Sequence, residues 1–140
     1  MFESKNKKVA IIGCSRLGAT IANRLSLLEY PITVLDKEEG SFRKLSDTYS
    51  GYTFVADAES VKSLYEARVN EADIVIAVTD NDNVNIMVSE VCSRIFGVEK
   101  VLCRIYDSSK EPLCRQYQIH FIDTSKLSAM EFEKALGGFL

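Results

Sequence analysis

The sequence predicts one α/β domain built on a parallel sheet of six strands. Two observations predict it: short apolar runs alternate with segments of helical periodicity, and a glycine-rich loop joins the first run to the first such segment. Strands that alternate with helices over short connections form parallel sheets, because right-handed crossovers place the helices on the sheet faces. We therefore expect a doubly wound, Rossmann-like sheet in the order 3-2-1-4-5-6.

The elements follow from apolar runs and from apolar residues at helical spacing. The six predicted strands cover residues 8–12, 31–36, 52–57, 74–79, 100–105 and 119–122. The first four predicted helices carry Leu17, Ile21, Leu25 and Leu28; Phe42, Leu45 and Tyr49; Val61, Leu64 and Tyr65; and Val84, Val88, Val91, Cys92 and Ile95, the last group ended by Gly97. A short helix is predicted around residues 112–117. The final helix begins near Thr124 or Ser128, where residues 128–131 have the form of a capping box.

The loop after the first strand nearly matches the Gly-x-Gly-x-x-Gly turn that binds phosphate. Its candidate nucleotide-binding residues are Gly13, Cys14, Ser15, Arg16, Leu17 and Gly18. Gly13 makes the tight turn and Gly18 allows the helix to pack close to the strand. Ser15 replaces the middle glycine, so its Cβ crowds a pyrophosphate, although its hydroxyl is a candidate donor to a phosphate oxygen. A strand-to-helix turn without a ligand is the alternative interpretation.

Asp36 lies 18 residues beyond Gly18, at the carboxyl end of the second predicted strand. An acidic side chain there accepts hydrogen bonds from ribose hydroxyls and repels a 2′-phosphate. The alternative is a solvated carboxylate at a strand end. The strand–helix–strand context favours binding of an adenine nucleotide.

Other predicted strands also end in polar residues, where ligands of open α/β sheets bind. Asp57 is a candidate partner for an adenine amino group, with Ala58 against the base. Arg104, and Arg16 in the loop, are candidates to neutralise phosphate charge.

Composition is that of an ordinary globular protein: 140 residues, 46% hydrophobic, 26% charged, with a net charge of −3. We expect a polar tail over residues 1–7 and one nucleotide-binding domain over residues 8–140 that includes a carboxyl-terminal helix. The absence of a clustered basic face argues against nucleic-acid binding. With no apolar run of about 20 residues and no signal-peptide pattern, the expected location is the cytoplasm.

Four cysteines, Cys14, Cys92, Cys103 and Cys114, form no Cys-x-x-Cys pair, so we expect buried, reduced thiols and neither a zinc site nor disulfides. Cys14 allows an alternative. In this alternative, its position at a helix amino terminus lowers the thiol pKa and makes the residue redox-sensitive.

One pattern points to an enzyme instead. Tyr106 and Lys110 match the Tyr-x-x-x-Lys of short-chain dehydrogenases, and Ser93 lies 13 residues upstream of Tyr106. In those enzymes the serine ends a strand, whereas Ser93 falls inside a predicted helix and Tyr106 directly follows a strand. The lone histidine, His120, has no nucleophile partner at suitable spacing. We therefore predict binding without turnover, with a small NAD-dependent oxidoreductase as the alternative and no catalytic or metal-binding residues.

Several segments together resemble one family, over nearly the whole chain from residue 8 to about residue 132. They are residues 9–18, Val34-Leu35-Asp36, Ala56-Asp57-Ala58, residues 72–79 followed by Asp82 and Asn85, and Cys103-Arg104. This combination resembles the regulator-of-potassium-conductance (RCK) domain, also called the TrkA amino-terminal domain. The resemblance assigns phosphate to Gly13, Ser15, Arg16 and Gly18, the ribose side to Asp36 and Lys37, adenine to Asp57 and Ala58, and the remaining lining to Thr79 and Arg104.

The resemblance implies a regulatory subunit rather than a catalyst. Its ligand is an adenine nucleotide. Because Ser15 crowds a pyrophosphate, AMP, ADP or ATP is favoured and NAD(H) is the other choice. Its partners are a membrane potassium-transporter subunit and further copies of itself, in a dimer or a larger ring at the inner face of the membrane. A redox or energy sensor that acts on other cytosolic partners is the alternative function.

Overall fold

Six parallel strands form one sheet in the order β3-β2-β1-β4-β5-β6, which confirms the predicted topology. The computed structural model describes residues 6–138, so most of the tail predicted over residues 1–7, and residues 139–140, lie outside the described residues. The strands are β1 (Val9–Ile12), β2 (Ile32–Asp36), β3 (Tyr52–Val55), β4 (Ile74–Ala77), β5 (Lys100–Ile105) and β6 (Phe121–Asp123). The order reverses between β1 and β4, so the crevice for a ligand opens at the carboxyl ends of these two strands.

The α-helices are α1 (Arg16–Leu27), α2 (Val61–Glu66), α3 (Asp82–Glu90), α4 (Glu111–Gln116) and α5 (Thr124–Ala135). A π-helical turn, Val91–Ile95, continues α3, and Gly97 ends it with a φ of +67°. Glycine favours that conformation because it has no Cβ to clash with the backbone.

The helix predicted around Phe42, Leu45 and Tyr49 is wrong in type. The segment forms a 3-10 helix, Glu39–Lys44, followed by irregular chain. Glycine and short polar side chains in this segment weaken an α-helix. The three apolar side chains nevertheless pack against the same core cluster as α1.

The last helix begins at Thr124, one of the two predicted starts. The carboxylate of Asp123 caps it by accepting a hydrogen bond from the Lys126 N–H at 2.9 Å. The capping box predicted at Ser128 is therefore wrong, since Ser128 lies inside α5.

The core consists of apolar clusters on both faces of the sheet, as helices on both faces require. Alternate residues of β1 contribute to opposite clusters: Ala10 and Ile12 to one, Val9 and Ile11 to the other. All four cysteines are buried and unpaired, as predicted. Within residues 6–138, the helices are too short or too polar for any of them to span a bilayer.

Candidate nucleotide-binding site

The glycine-rich loop crosses directly over the end of β4. Gly13 has a φ of +107°, and a Cβ there would lie 2.7 Å from backbone atoms of Thr79. A Cβ on Gly18 would collide with the carbonyl oxygen of Gly13. Only glycine fits at either position, so the loop holds β1, α1 and β4 at their closest approach.

Ser15 caps α1. Its hydroxyl donates to the carbonyl of Val78 at 2.7 Å and accepts from the N–H of Gly18 at 3.0 Å. A hydroxyl has one hydrogen to donate, and here that hydrogen is used inside the protein. The hydroxyl predicted as a phosphate donor therefore faces the protein instead. The N–H groups of Arg16 and Leu17, in the first turn of α1, have no acceptor within the helix.

Asp36 ties the end of β2 to this loop. Its Oδ2 accepts from the N–H of Cys14 at 2.8 Å, and its Oδ1 accepts from the N–H of Glu38 at 2.8 Å. Each carboxylate oxygen has two lone pairs, so both can also accept from a ribose hydroxyl. Asp36 thus fixes the loop and retains capacity for a ligand.

Asn85 joins the carboxyl ends of β4 and β5 and is fully buried. Its Oδ1 accepts from the N–H and hydroxyl of Thr79, and its Nδ2 donates to the carbonyls of Thr79 and Arg104. This residue is part of the family resemblance, but we did not predict it as part of the site. Its position in that motif, in a helix among apolar residues, was the available signal.

Arg104 is already paired. Its guanidinium lies 3.6 Å from Asp80 and 3.7 Å from Asp82, and 5.9 Å from the centre of the Tyr106 ring. An anion that binds Arg104 therefore competes with two carboxylates.

Two clefts flank the loop. The strand-end cleft has a volume of about 350 Å³ and the helix-side cleft about 630 Å³. The strand-end cleft is lined by Gly13, Cys14, Ser15, Asp36, Lys37, Glu38, Ser41, Lys44, Ala56, Asp57, Ala58, Glu59, Thr79, Asp80, Asn81 and Val84. The helix-side cleft is lined by Ser15, Arg16, Leu17, Lys44, Asp80, Arg104, Tyr106, Thr124, Leu127 and Ser128. Among the predicted residues only Gly18 lines neither cleft. It is buried, and its N–H donates to the Ser15 hydroxyl.

The two clefts differ in charge. The strand-end cleft contains five carboxylates and two lysines, whereas the helix-side cleft contains two arginines, one lysine and one carboxylate. Anionic groups are therefore favoured beside the amino terminus of α1, where the helix dipole acts in the same direction. Uncharged, hydrogen-bonding groups suit the strand-end cleft.

Cys14 lies in the loop as a buried thiol. Burial raises its pKa above the usual range, and the charge of Lys44 offsets this only in part. The alternative of a redox-sensitive Cys14 with a lowered pKa is therefore wrong. Within residues 6–138 no three His, Cys, Asp or Glu side chains are arranged to hold a metal ion.

The residues that suggested a dehydrogenase are not brought together. Tyr106 directly follows β5, and the amine of Lys110 donates to the Asn83 side chain at 3.0 Å. Ser93 instead lines a cavity with Lys100, the residue that begins β5. The serine therefore lies at the opposite end of β5 from Tyr106.

A larger cavity of about 720 Å³ lies at the other edge of the sheet, around the amino ends of β1 and β2. It contains none of the predicted site residues. Because ligands of open α/β sheets bind at the carboxyl ends of the strands, we place the candidate site at the loop.

Comparison with known proteins supports the fold described above. The sequence profile of the TrkA-N domain matches residues 9–124. The Trk system potassium uptake protein TrkA of Streptomyces coelicolor is 30% identical over 128 residues, which cover 91% of this chain and 57% of that protein. The chain thus spans somewhat more than half the length of this relative.

Solved structures of other proteins share the fold, and two of them contain a bound nucleotide. The carboxyl-terminal domain of Kef from Shewanella denitrificans, in an AMP-bound form, has a TM-score of 0.78 at 20% identity, over 93% of this chain and 80% of that one. GsuK bound to ADP has a TM-score of 0.76 at 19% identity, over 92% of this chain and 33% of that one.

Proposed function

The chain belongs to the TrkA-N domain family, and on that premise we propose that it is the nucleotide-binding regulatory subunit of a membrane potassium transport system. The observation that carries the proposal is the loop itself. Arg16 and Leu17, whose N–H groups have no acceptor within α1, line a cationic cleft, while Asp36 borders an adjoining cleft without that excess of positive charge. This arrangement matches a ligand with phosphate at one end and a nucleoside at the other.

We propose that phosphates bind in the helix-side cleft and the nucleoside in the strand-end cleft. Asp36 then accepts from the ribose, and Asp57 and Ala58 meet the base. The AMP-bound and ADP-bound relatives of the same fold support an adenine nucleotide. The function is regulation by binding and not turnover.

Regulation requires that the ligand change the structure seen by a partner. The first turn of α5 provides a route, because Thr124, Leu127 and Ser128 line the helix-side cleft. A nucleotide that favours one position of α5 shifts the equilibrium between two conformations of the assembly. We place this assembly on the cytoplasmic side of the membrane, against the transporter subunit.

The protein is expected to be at least a dimer. Leu127, Met130 and Phe132 of α5 and Leu136 directly after it are exposed, and symmetric pairing is the usual way to cover exposed apolar side chains. Light scattering at high micromolar concentration tests this, with and without ADP. Met130→Glu should shift the mass toward that of a monomer, whereas Tyr65→Glu on α2 should not. A wild-type protein that is monomeric under both conditions contradicts the prediction.

Ser15 is expected to set the choice of nucleotide. Its Cβ crowds the passage of a pyrophosphate, and its hydroxyl cannot compensate because it donates to Val78. We predict tighter binding of AMP, ADP or ATP than of NADH, and a smaller difference in Ser15→Gly.

Affinities of both proteins for ADP and NADH, measured by calorimetry, test the role of Ser15. Thermal unfolding of Ser15→Gly serves as the control for the lost helix cap. A wild-type protein that binds NADH more tightly than ADP overturns the steric argument.

A further inference from the structure

Lys44 extends from the 3-10 helix Glu39–Lys44 toward the glycine-rich loop. Its backbone is held against α1: the Asn23 side-chain amide donates to the Lys44 carbonyl at 3.4 Å and its oxygen accepts from the Ser46 N–H at 2.9 Å. Leu45, the next residue, packs into the cluster that contains α1. The base of the Lys44 side chain therefore has a defined position beside the loop.

The amine of Lys44 reaches the loop itself. Its Nζ donates to the carbonyl oxygen of Cys14 at 3.1 Å. An ammonium has three hydrogens, so two remain available after this bond. Over the described part of the chain, residues 6–138, Lys44 forms no ion pair with a carboxylate. Within those residues, no ion pair neutralises its positive charge.

Among residues 6–138, three line both clefts: Ser15, Lys44 and Asp80. They mark the place where a ligand passes from one cleft to the other. The Ser15 hydroxyl donates to Val78, and Asp80 is anionic and 3.6 Å from Arg104. Lys44 is the one of the three that can attract an anion at this junction.

We propose that Lys44 is a phosphate-binding residue that contacts the phosphate chain of the nucleotide at the junction of the two clefts. This rests on the proposed nucleotide-binding function. The ammonium serves two purposes there: it covers the Cys14 carbonyl, which would otherwise repel phosphate oxygens, and it donates charge-assisted hydrogen bonds to them. The affinity for a nucleotide should therefore depend on Lys44 more strongly as its phosphate charge increases.

The test compares Lys44→Gln with wild type by calorimetric titration of adenosine, AMP, ADP and ATP. We expect Lys44→Gln to weaken ADP and ATP binding by roughly tenfold or more and adenosine binding by less than about twofold. Lys44→Arg keeps the charge and should recover most of the loss. Lys62→Gln, an exposed lysine on α2 outside both clefts, is the matched control and should bind all four ligands as wild type does.

The outcomes separate a phosphate contact from a purely structural bond to Cys14. If Lys44→Gln weakens the binding of adenosine and of ADP by the same factor, the proposal is overturned. A distorted loop would weaken both ligands equally, whereas a lost phosphate contact would weaken only ADP. Unchanged ADP binding in that variant also overturns it and leaves the proposed function intact. A wild-type protein that binds none of the four ligands overturns the proposed function and the role of Lys44 with it.

Discussion

Replacing Gly18 with alanine is expected to lower the free energy of unfolding by about 3 kcal/mol or more and to abolish nucleotide binding. The new Cβ would collide with the carbonyl oxygen of Gly13 and approach the Val78 side chain to 3.1 Å. Neither neighbour can yield easily, since one is backbone and the other belongs to the buried core. Relief requires α1 to move away from β1, which separates the first-turn N–H groups from the clefts.

Urea unfolding followed by circular dichroism measures the effect of Gly18→Ala. Gly40→Ala is the matched control, because a Cβ there meets only the far end of the Arg43 side chain at 3.8 Å. That variant should unfold within about 0.5 kcal/mol of wild type or be slightly more stable. Equal stability of Gly18→Ala and wild type would contradict the close helix–strand contact.

Asn85→Ala is expected to lower the free energy of unfolding by about 3 kcal/mol. The substitution removes four hydrogen bonds from a fully buried side chain, so the Thr79 N–H and the carbonyls of Thr79 and Arg104 each lose a partner. Because both of these residues line the clefts, nucleotide affinity should fall as well.

The same unfolding experiment compares Asn85→Ala with Asn83→Ala. Asn83 is exposed on the same helix and accepts one hydrogen bond, from Lys110. Asn83→Ala should change the free energy of unfolding by no more than about 0.5 kcal/mol. If Asn85→Ala unfolds at the same urea concentration as Asn83→Ala, then Asn85 does not join the two strands in the way described.

The fold and several features of the candidate site were predictable from signals that are visible along the chain. The alternation of strands and helices gave the strand order, and the spacing from Gly13 to Gly18 placed the tight turn where the structure has it. Asp36 was predicted at the carboxyl end of a strand, and the structure has it at the end of β2. The turn and the strand end depend on residues that are close together in the sequence, whereas the strand order follows from the alternation of elements over the whole chain.

The remainder depends on contacts that leave no periodic signal. Lys44 lies 30 positions from Cys14, in a segment that the spacing of Phe42, Leu45 and Tyr49 assigned to an α-helix. The sequence showed which apolar residues pack this segment against the core. It did not show that the Lys44 amine reaches the glycine-rich loop. Ser15 presents the same difficulty. The carbonyl that accepts its hydroxyl hydrogen belongs to Val78, 63 positions away, so this hydrogen bond could not be predicted.

The cap of α5 shows a different limit. Asp123 and Ser128 both precede residues suited to a helix, and both are good capping residues. Asp123 also accepts a hydrogen bond from Ser108 at 2.6 Å, which fixes its carboxylate next to the end of β5. This tertiary contact selects the earlier start, and a window along the sequence does not include it.

If this chain binds an adenine nucleotide with the ribose at Asp36, calorimetric titration of ADP should distinguish wild type from Asp36→Ala. Wild type should bind one ADP per chain, and Asp36→Ala should lose on the order of 1.5–3 kcal/mol of binding free energy. Asp47→Ala, which removes an exposed carboxylate outside both clefts, is the control and should bind as wild type does. If ADP has the same dissociation constant in wild type and in folded Asp36→Ala, the ribose does not bind at Asp36. If wild type does not bind ADP at all, the proposed nucleotide site is contradicted.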